Sequence, residues 1–341
     1  MMPEKAGIGG NFVLDECIIE ALPKEVSRVV KADSYGTSAW NRTARITTEL
    51  GDRTERNFFV KLHEGERGRA MVLGEYEAEL AIYETMPELV PEPYVWGQCK
   101  AASPPVFFII KDFCDMSFHL PEPIQFCAKI AKLHEISRSP TGKFGFHVPT
   151  VQGYVEQTVG WDSSWASFFS KLIAGLVQHD LEANGSWKEY EDAFEKTQKH
   201  VIPRLLGALE SEGRTLIPKL IHGNLKEENC GTSLETGDIQ IYDACSYYAH
   251  SEMDVAMWRS ERVRFRSKTY TRQYLRNVGI SEPADEFDDR IRLYSIKHTI
   301  NHSVHNKGSY FREKAFEDML FLIDKYAPKE NNAERPIEGQ S

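Results

Sequence analysis

Between residues 43 and 62 the chain alternates in side-chain character, and few folds accommodate that pattern. Ala44, Ile46, Thr48 and Leu50 interleave with Thr43, Arg45, Thr47 and Glu49, a period of two that marks a strand with one face on a core. Gly51 and Asp52 begin a turn, and residues 57–62 return with Phe58, Val60 and Leu62 on one face and Phe59 and Lys61 on the other. An antiparallel sheet is therefore expected early in the chain. Residues 71–83 then change to a helical period, with Val72, Tyr76, Leu80 and Tyr83 on one stripe and Glu75 and Glu79 a turn apart on an adjacent face. Beyond Pro91 and Pro93, residues 106–110 are apolar throughout and bounded by Pro105 and by Lys111-Asp112, which predicts a fully buried strand.

The C-terminal two thirds of the chain is mainly helical in pattern. Residues 123–136, 164–178, 189–209 and 290–326 carry helix-like spacing, punctuated by Pro and Gly. One hairpin interrupts them: residues 230–234 and 238–243 flank Glu235-Thr236-Gly237, which places Ile239, Ile241 and Asp243 on one face. The expected fold is α+β and two-lobed. Residues 1–112 form a lobe built on an antiparallel sheet with one helix, residues 113–328 a helical lobe with a β-hairpin, and residues 329–341 a polar tail. A length of 341 residues suits two packed units, since single cores rarely grow beyond about 250–300 residues.

Composition excludes several function classes. The formal net charge of −10 disfavours nucleic acid and anionic lipid as partners and suits a cationic or neutral substrate. No apolar run reaches the roughly 20 residues that cross a bilayer, and residues 1–12 resemble neither a signal peptide nor a presequence, so a cytoplasmic protein is expected. The six cysteines, at positions 17, 99, 114, 127, 230 and 245, make no CxxC pair and no zinc spacing; reduced, packed thiols are expected.

Several features converge on phosphoryl transfer. The segment SYGTS (34–38) is a small-residue turn whose Gly36, Thr37 and Ser38 suit close approach of backbone N–H groups to phosphate oxygens. A strand lysine, Lys61, with a helix glutamate neutralises phosphate charge, and an amide oxygen with a carboxylate, Asn229 and Asp243, suits Mg²⁺. Between them lies a His222-Gly223 loop.

This set resembles the fructosamine kinase (ketosamine 3-kinase) family, within the aminoglycoside and choline phosphotransferases of the protein-kinase-like fold, and is similar above all to fungal members. The resemblance covers residues 34–326 and rests on LIHGNLKEENCGT (220–232), IYDACSYYAHSEMDVAMWR (241–259), FFVK (58–61), AKLH (131–134), FGFHVPT (144–150) and GWDSSWASFF (160–169). It implies ATP and Mg²⁺ as cofactors, with Lys61 on the phosphates and paired with Glu75, or with Glu79 if the helix register shifts. It further implies that Lys111, Asp112 and Phe113 form the hinge against adenine, and that Asn229 and Asp243 ligate the metal. The implied substrate is a small-molecule or protein-bound ketoamine, phosphorylated on its sugar 3-hydroxyl, by a monomer or weak homodimer.

One departure stands out. The family pattern is HGDLW; here Asn224 replaces the catalytic Asp and Lys226 the aromatic residue. An amide cannot accept the hydroxyl proton, and losing a general base costs about 10²- to 10⁴-fold. Phosphoryl transfer depends mostly on positioning and electrostatics, so slowed transfer remains compatible with Asn224, its side-chain oxygen orienting the hydroxyl and Lys226 adding charge near the γ-phosphate. The alternatives are a pseudokinase that uses the cleft for binding, and a kinase of another small alcohol such as an aminoglycoside or choline.

Other residues read as structural. His134 and His222 suit hydrogen-bonded struts, His298, His302 and His305 share a helical spacing without a fourth ligand, and Glu252 and Asp254 suit bracing of the hairpin. The basic run from Arg259 to Arg276 reads as a solvated helix face, or as an anion or partner site, and Trp161, Trp165 and Trp258 as core, or as walls of a sugar pocket.

Overall fold

The alternation of residues 43–62 becomes the centre of a five-stranded antiparallel sheet in the computed structural model, which describes residues 8–36, 41–99 and 102–329. Its strands are β1 (Val26–Ser34), β2 (Arg42–Leu50), β3 (Glu55–Glu64), β4 (Pro93–Cys99) and β5 (Val106–Asp112), in the order β1-β2-β3-β5-β4. Phe58, Val60 and Leu62 of β3 are buried on the outer face, under Ile18 and Leu22 of a segment carrying the short helix α1 (Glu16–Glu20). The opposite face carries Phe59 and Lys61. Phe59 lies across from Lys111 and Lys61 across from Ile109, so the pairing register puts two lysines on the inner face as diagonal neighbours.

Helix α2 (Arg67–Thr85) crosses that inner side. Its most buried face differs from the expected stripe: Val72, Glu75, Ala78, Glu79 and Ile82 are buried, whereas Tyr76, Leu80 and Tyr83 are only half-buried. The cause is electrostatic. Two ammonium groups on the facing sheet turn the carboxylates inward, overriding a purely apolar register.

A second correction concerns the thiols. Cys17 of α1 and Cys99 at the end of β4 form a disulfide with Cα atoms 5.6 Å apart, although 82 residues separate them in sequence. Only the packing of α1 across the sheet brings the pair together.

The remaining chain is mostly helical. After β6 (Met116–Ser117), helix α3 (Pro123–Ile136) starts where the Glu122 carboxylate accepts the Gln125 N–H and Pro123 occupies the first turn. The hairpin of β7 (Val151–Gln152) and β8 (Val155–Glu156) precedes α4 (Trp165–Asn184), which is capped by Ser164. Residues 189–209 do not form one helix: α5 (Lys188–Lys196) passes through a wide turn at 197–201 into α6 (Ile202–Gly207), where Pro203 lacks an N–H for the preceding turn.

Strands β9 (Lys219–Ile221), β10 (Cys230–Ser233), β11 (Ile239–Ile241) and β12 (Tyr247–Ala249) come next, with β9 paired to β12 and β10 to both β11 and β6. Asp243 does not continue β11 as expected. It sits just beyond the strand at φ 58°, left-handed backbone that a non-glycine residue adopts at a cost. Helices α7 (Glu252–Val255), α8 (Lys268–Val278), α9 (Phe287–His305) and α10 (Phe311–Tyr326) close the lobe, the last two separated around Gly308, at φ 76°. Trp165 and Trp258 lie in this core, and Trp161 packs on Tyr248. No helix among the described residues is long and apolar enough to cross a membrane.

Candidate active site

Two short loops set the floor of a cleft beneath the inner face of the sheet. One, residues 222–229, joins β9 to β10; the other, residues 242–246, joins β11 to β12. They are laced together by Cys245 N–H to His222 O (3.0 Å) and Tyr242 N–H to Asn229 O (3.0 Å). Gly223 makes this approach possible. Its φ is 79°, and a Cβ there would stand 2.5 Å from the Cys245 carbonyl oxygen.

Asp254 holds the first loop from below. Its buried carboxylate accepts the N–H groups of His222 and Gly223, both at 2.9 Å, and lies 3.2 Å from His134 Nε2. Burial opposes its charge, but these donors outweigh burial and keep the carboxyl below its ordinary range. His134 also meets Tyr274 Oη, and His222 Nε2 meets the Tyr242 carbonyl, so both histidines serve as struts.

Above the floor, Lys61 Nζ donates to Glu75 (2.6 Å) and to Asp243 Oδ1 (2.8 Å). Lys111 Nζ donates to Glu75 (2.9 Å) and to both oxygens of Glu79 (2.8 and 2.7 Å), and the Asp243 N–H returns to Glu79 (2.9 Å). The two glutamates, treated as alternatives in the sequence, are thus both used, one ring of charges linking sheet, helix and loop. Burial penalises Lys61 and Lys111, yet the carboxylates outweigh it and raise both ammonium groups above their usual value. Lys61 in turn holds Asp243 well below the carboxylate range. Glu79, fully buried, is pushed up by desolvation.

The cleft has two communicating compartments of about 600 and 620 Å³, sharing Thr43, Phe59, Lys111, Glu228 and Tyr242. The first is walled by Tyr35, Phe59, Phe113, Met116, Phe118 and Tyr242, and also touches Gly36, Asp112 and Cys114. A flat heterocycle fits such walls. The second contains Lys61, Glu75, Lys226, Asn229 and Asp243.

Thr37 and Ser38 lie outside the described residues; Gly36 borders the first compartment. The expectation that the backbone of residues 111–113 meets adenine needs correction at the Asp112 and Phe113 N–H groups, which already donate to the carbonyls of Glu92 (2.9 Å) and Asn57 (3.1 Å). The Lys111 side chain is committed to the glutamates. Lys226 pairs with Glu228 at the rim. Asn229 donates its Nδ2 to the Asn224 carbonyl (2.9 Å), which turns its Oδ1 away from that carbonyl. An amide oxygen and an ionised carboxylate in one compartment are the hard oxygen donors that fit Mg²⁺.

Both ends of the Asn224 amide are engaged. Its Oδ1 accepts from Gln152 Nε2 (3.2 Å), and its Nδ2 donates to Asp243 Oδ2 (3.2 Å). Gln152 thus takes one of the two lone pairs of the oxygen expected to orient a substrate hydroxyl. Sequence reasoning missed Met116, Phe118 and Gln152, and did not foresee that Tyr35, Phe59 and Tyr242 would join Phe113 in one wall, since these residues come from separated segments. In the basic run, Arg259 pairs with Asp318, Arg262 meets His302 and Arg264 borders the first compartment, so it is not one solvated face.

The fructosamine kinase family model matches residues 16–321. A chloroplastic protein-ribulosamine 3-kinase of Oryza sativa subsp. indica is 26% identical over 302 residues, covering 89% of this chain and 80% of that protein. A ketosamine-3-kinase of Mus musculus is 24% identical over 274 residues, covering 74% and 84%. Among solved structures, a candidate fructosamine-3-kinase from Thermobifida fusca superimposes with TM-score 0.68 at 16% identity, covering 92% of this chain and 100% of that one. Aminoglycoside phosphotransferase APH(4)-Ia, in ternary complex with AMP-PNP and hygromycin B, gives TM-score 0.56 at 15% identity, covering 87% and 94%. These two show the kinase-like fold.

Proposed function

Since the chain belongs to the fructosamine kinase family, we propose that its cleft transfers the γ-phosphoryl group of ATP to the sugar 3-hydroxyl of a ketoamine, a ribulosamine or fructosamine adduct of lysine or a free amine. The observation that carries this reading is Lys61, held between Glu75 and Asp243 in a charged compartment that shares a wall with an aromatic one. In this reading adenine occupies the aromatic compartment, read by backbone groups from Phe113 onward, and Lys61 neutralises phosphate charge. Asn229 and Asp243 would hold Mg²⁺, which would supply positive charge against the phosphates. The sugar oxygen forms its bond to the γ-phosphorus as the bridging P–O bond breaks and ADP leaves. No carboxylate stands at position 224, so the hydroxyl proton departs to phosphate oxygen or water.

Relatives named as ribulosamine and ketosamine kinases support this substrate class. A second reading, a nucleotide-binding protein without transfer, is favoured by the double engagement of the Asn224 amide. ADP release with a defined ribulosamine separates them. The kinase reading expects native turnover above blank, increased about 10²-fold or more by Asn224→Asp. Turnover only in Asn224→Asp establishes the second reading, and turnover in neither protein rejects the assigned substrate.

A further inference from the structure

Lys297 is a buried cation that the phosphotransfer chemistry leaves unused. It projects from α9, is 1% exposed, and its Nζ donates to an amide oxygen, Gln152 Oε1, at 2.6 Å. The Tyr247 ring lies 6.0 Å away. Burial pushes the ammonium down to about 8. An expensive buried charge whose hydrogen-bond acceptor is an amide rather than a carboxylate calls for a role.

The hydrogen bonds supply one. Gln152 is 3% exposed, and its Nε2 donates to Asn224 Oδ1 (3.2 Å); Asn224 Nδ2 donates to Asp243 Oδ2 (3.2 Å). The two ends of this chain are chemically unambiguous: an ammonium only donates, and an ionised carboxylate only accepts. Between them, each amide has one orientation that makes both of its bonds. Lys297 makes Gln152 present oxygen to it and nitrogen to Asn224, so Asn224 presents oxygen to Gln152 and nitrogen to Asp243.

We propose that Lys297 and Gln152 are positioning residues that fix which face of the Asn224 amide meets the reaction centre. They hold its NH₂ on the carboxylate oxygen of Asp243 that Lys61 leaves free. A carboxylate at position 224 would be repelled there; the amide instead partly neutralises Asp243. Under the kinase reading, on which this consequence rests, a cation approaching Oδ2 displaces the Asn224 NH₂, so the relay raises the Mg²⁺ requirement for nucleotide binding.

Two measurements test this. In isotope-labelled protein the Asn224 side-chain NH₂ resonance, identified by its disappearance in Asn224→Asp, is expected to exchange slowly. Lys297→Met, which frees Gln152 to rotate, should speed that exchange about tenfold, as loss of about 1.4 kcal/mol of orientation would. Gln152→Glu keeps Lys297 paired but leaves Asn224 between two acceptors, so neither amide orientation makes both bonds, and the NH₂ exchange should quicken and its resonance shift even if Lys297→Met fails to fold. In the second measurement, the Mg²⁺ concentration giving half of the ATP-induced thermal shift should fall about 3- to 10-fold in either variant, and this change should vanish in an Asn224→Ala background. Unchanged NH₂ exchange and shift in the foldable variants overturn the proposal, as does a Mg²⁺ effect that persists without the Asn224 amide, which would be a plain charge effect. Absence of any ATP-induced shift in the native protein refutes the nucleotide reading instead, and the exchange measurement still decides the relay.

Discussion

Lys111→Met isolates the energetic role of the charge ring. Lys111 is 4% exposed and makes three contacts of 2.7–2.9 Å to two buried carboxylates. With it removed, Glu75 keeps Lys61, but Glu79, at 0% exposure, keeps only the Asp243 N–H. Breaking a buried pair from one side costs about 3–5 kcal/mol, because the orphaned charge remains out of water. Glu79 can limit that loss by taking up a proton, and this determines the pH dependence. Its folded pKa is already raised by burial and rises further without Lys111, whereas the unfolded value stays near about 4.3. The folded variant then binds a proton that the unfolded chain releases, so its stability falls as pH rises above the unfolded value, by up to ~1.4 kcal/mol per pH unit, until the folded carboxyl ionises. Urea unfolding followed by circular dichroism should show the loss growing across that window. Lys111→Met/Glu79→Gln should recover most of it, since the amide retains the Asp243 contact without the charge. A loss below about 1 kcal/mol at about pH 8, or one equal at both ends of the window, would show that solvent screens Glu79 and would refute the reasoning.

Three further perturbations act on separate links. Lys61→Met should abolish the ATP-induced thermal shift and lower any turnover by about 10²-fold or more, while Glu75 stays anchored by Lys111; retained affinity would remove Lys61 from the phosphate site. Asp254→Ala leaves the N–H groups of His222 and Gly223 without their acceptor, and thermal melting should report a loss of about 3 kcal/mol or more. Reducing the Cys17–Cys99 bond, or Cys17→Ser, opens a loop of 82 residues and should cost up to about 4.5 kcal/mol on loop-entropy grounds, seen as a lower melting temperature; an unchanged melt would mean that α1 adds little to the sheet's stability.

Local periodicity made several elements legible. The outer face of β3 is the alternate set Phe58, Val60 and Leu62, and α3 occupies the residues expected for it because Glu122 and Pro123 start it chemically. Longer patterns failed where a backbone constraint intervened, at Pro203 within the expected helix of 189–209 and around Gly308 between α9 and α10. In the site, Lys61, Glu75, Asn229 and Asp243 do face one compartment. The ion pairs of Lys111 leave no mark in the sequence, because a strand-end lysine looks the same whether it meets solvent or two glutamates.

The order of residues by itself therefore determined the layered plan, the turn that Gly223 permits and the chemical types available to the cleft, since these depend on neighbours within a few positions. Tertiary packing alone decided which charges pair, which amide orientation survives and which cysteines bond. Lys297, Gln152 and Asn224 are brought together from α9, β7 and the loop after β9, and Cys17 and Cys99 from opposite ends of the sheet-forming segment. The energy of such contacts depends on burial and on donor–acceptor complementarity across long separations, and those quantities exist only once the chain has closed around them.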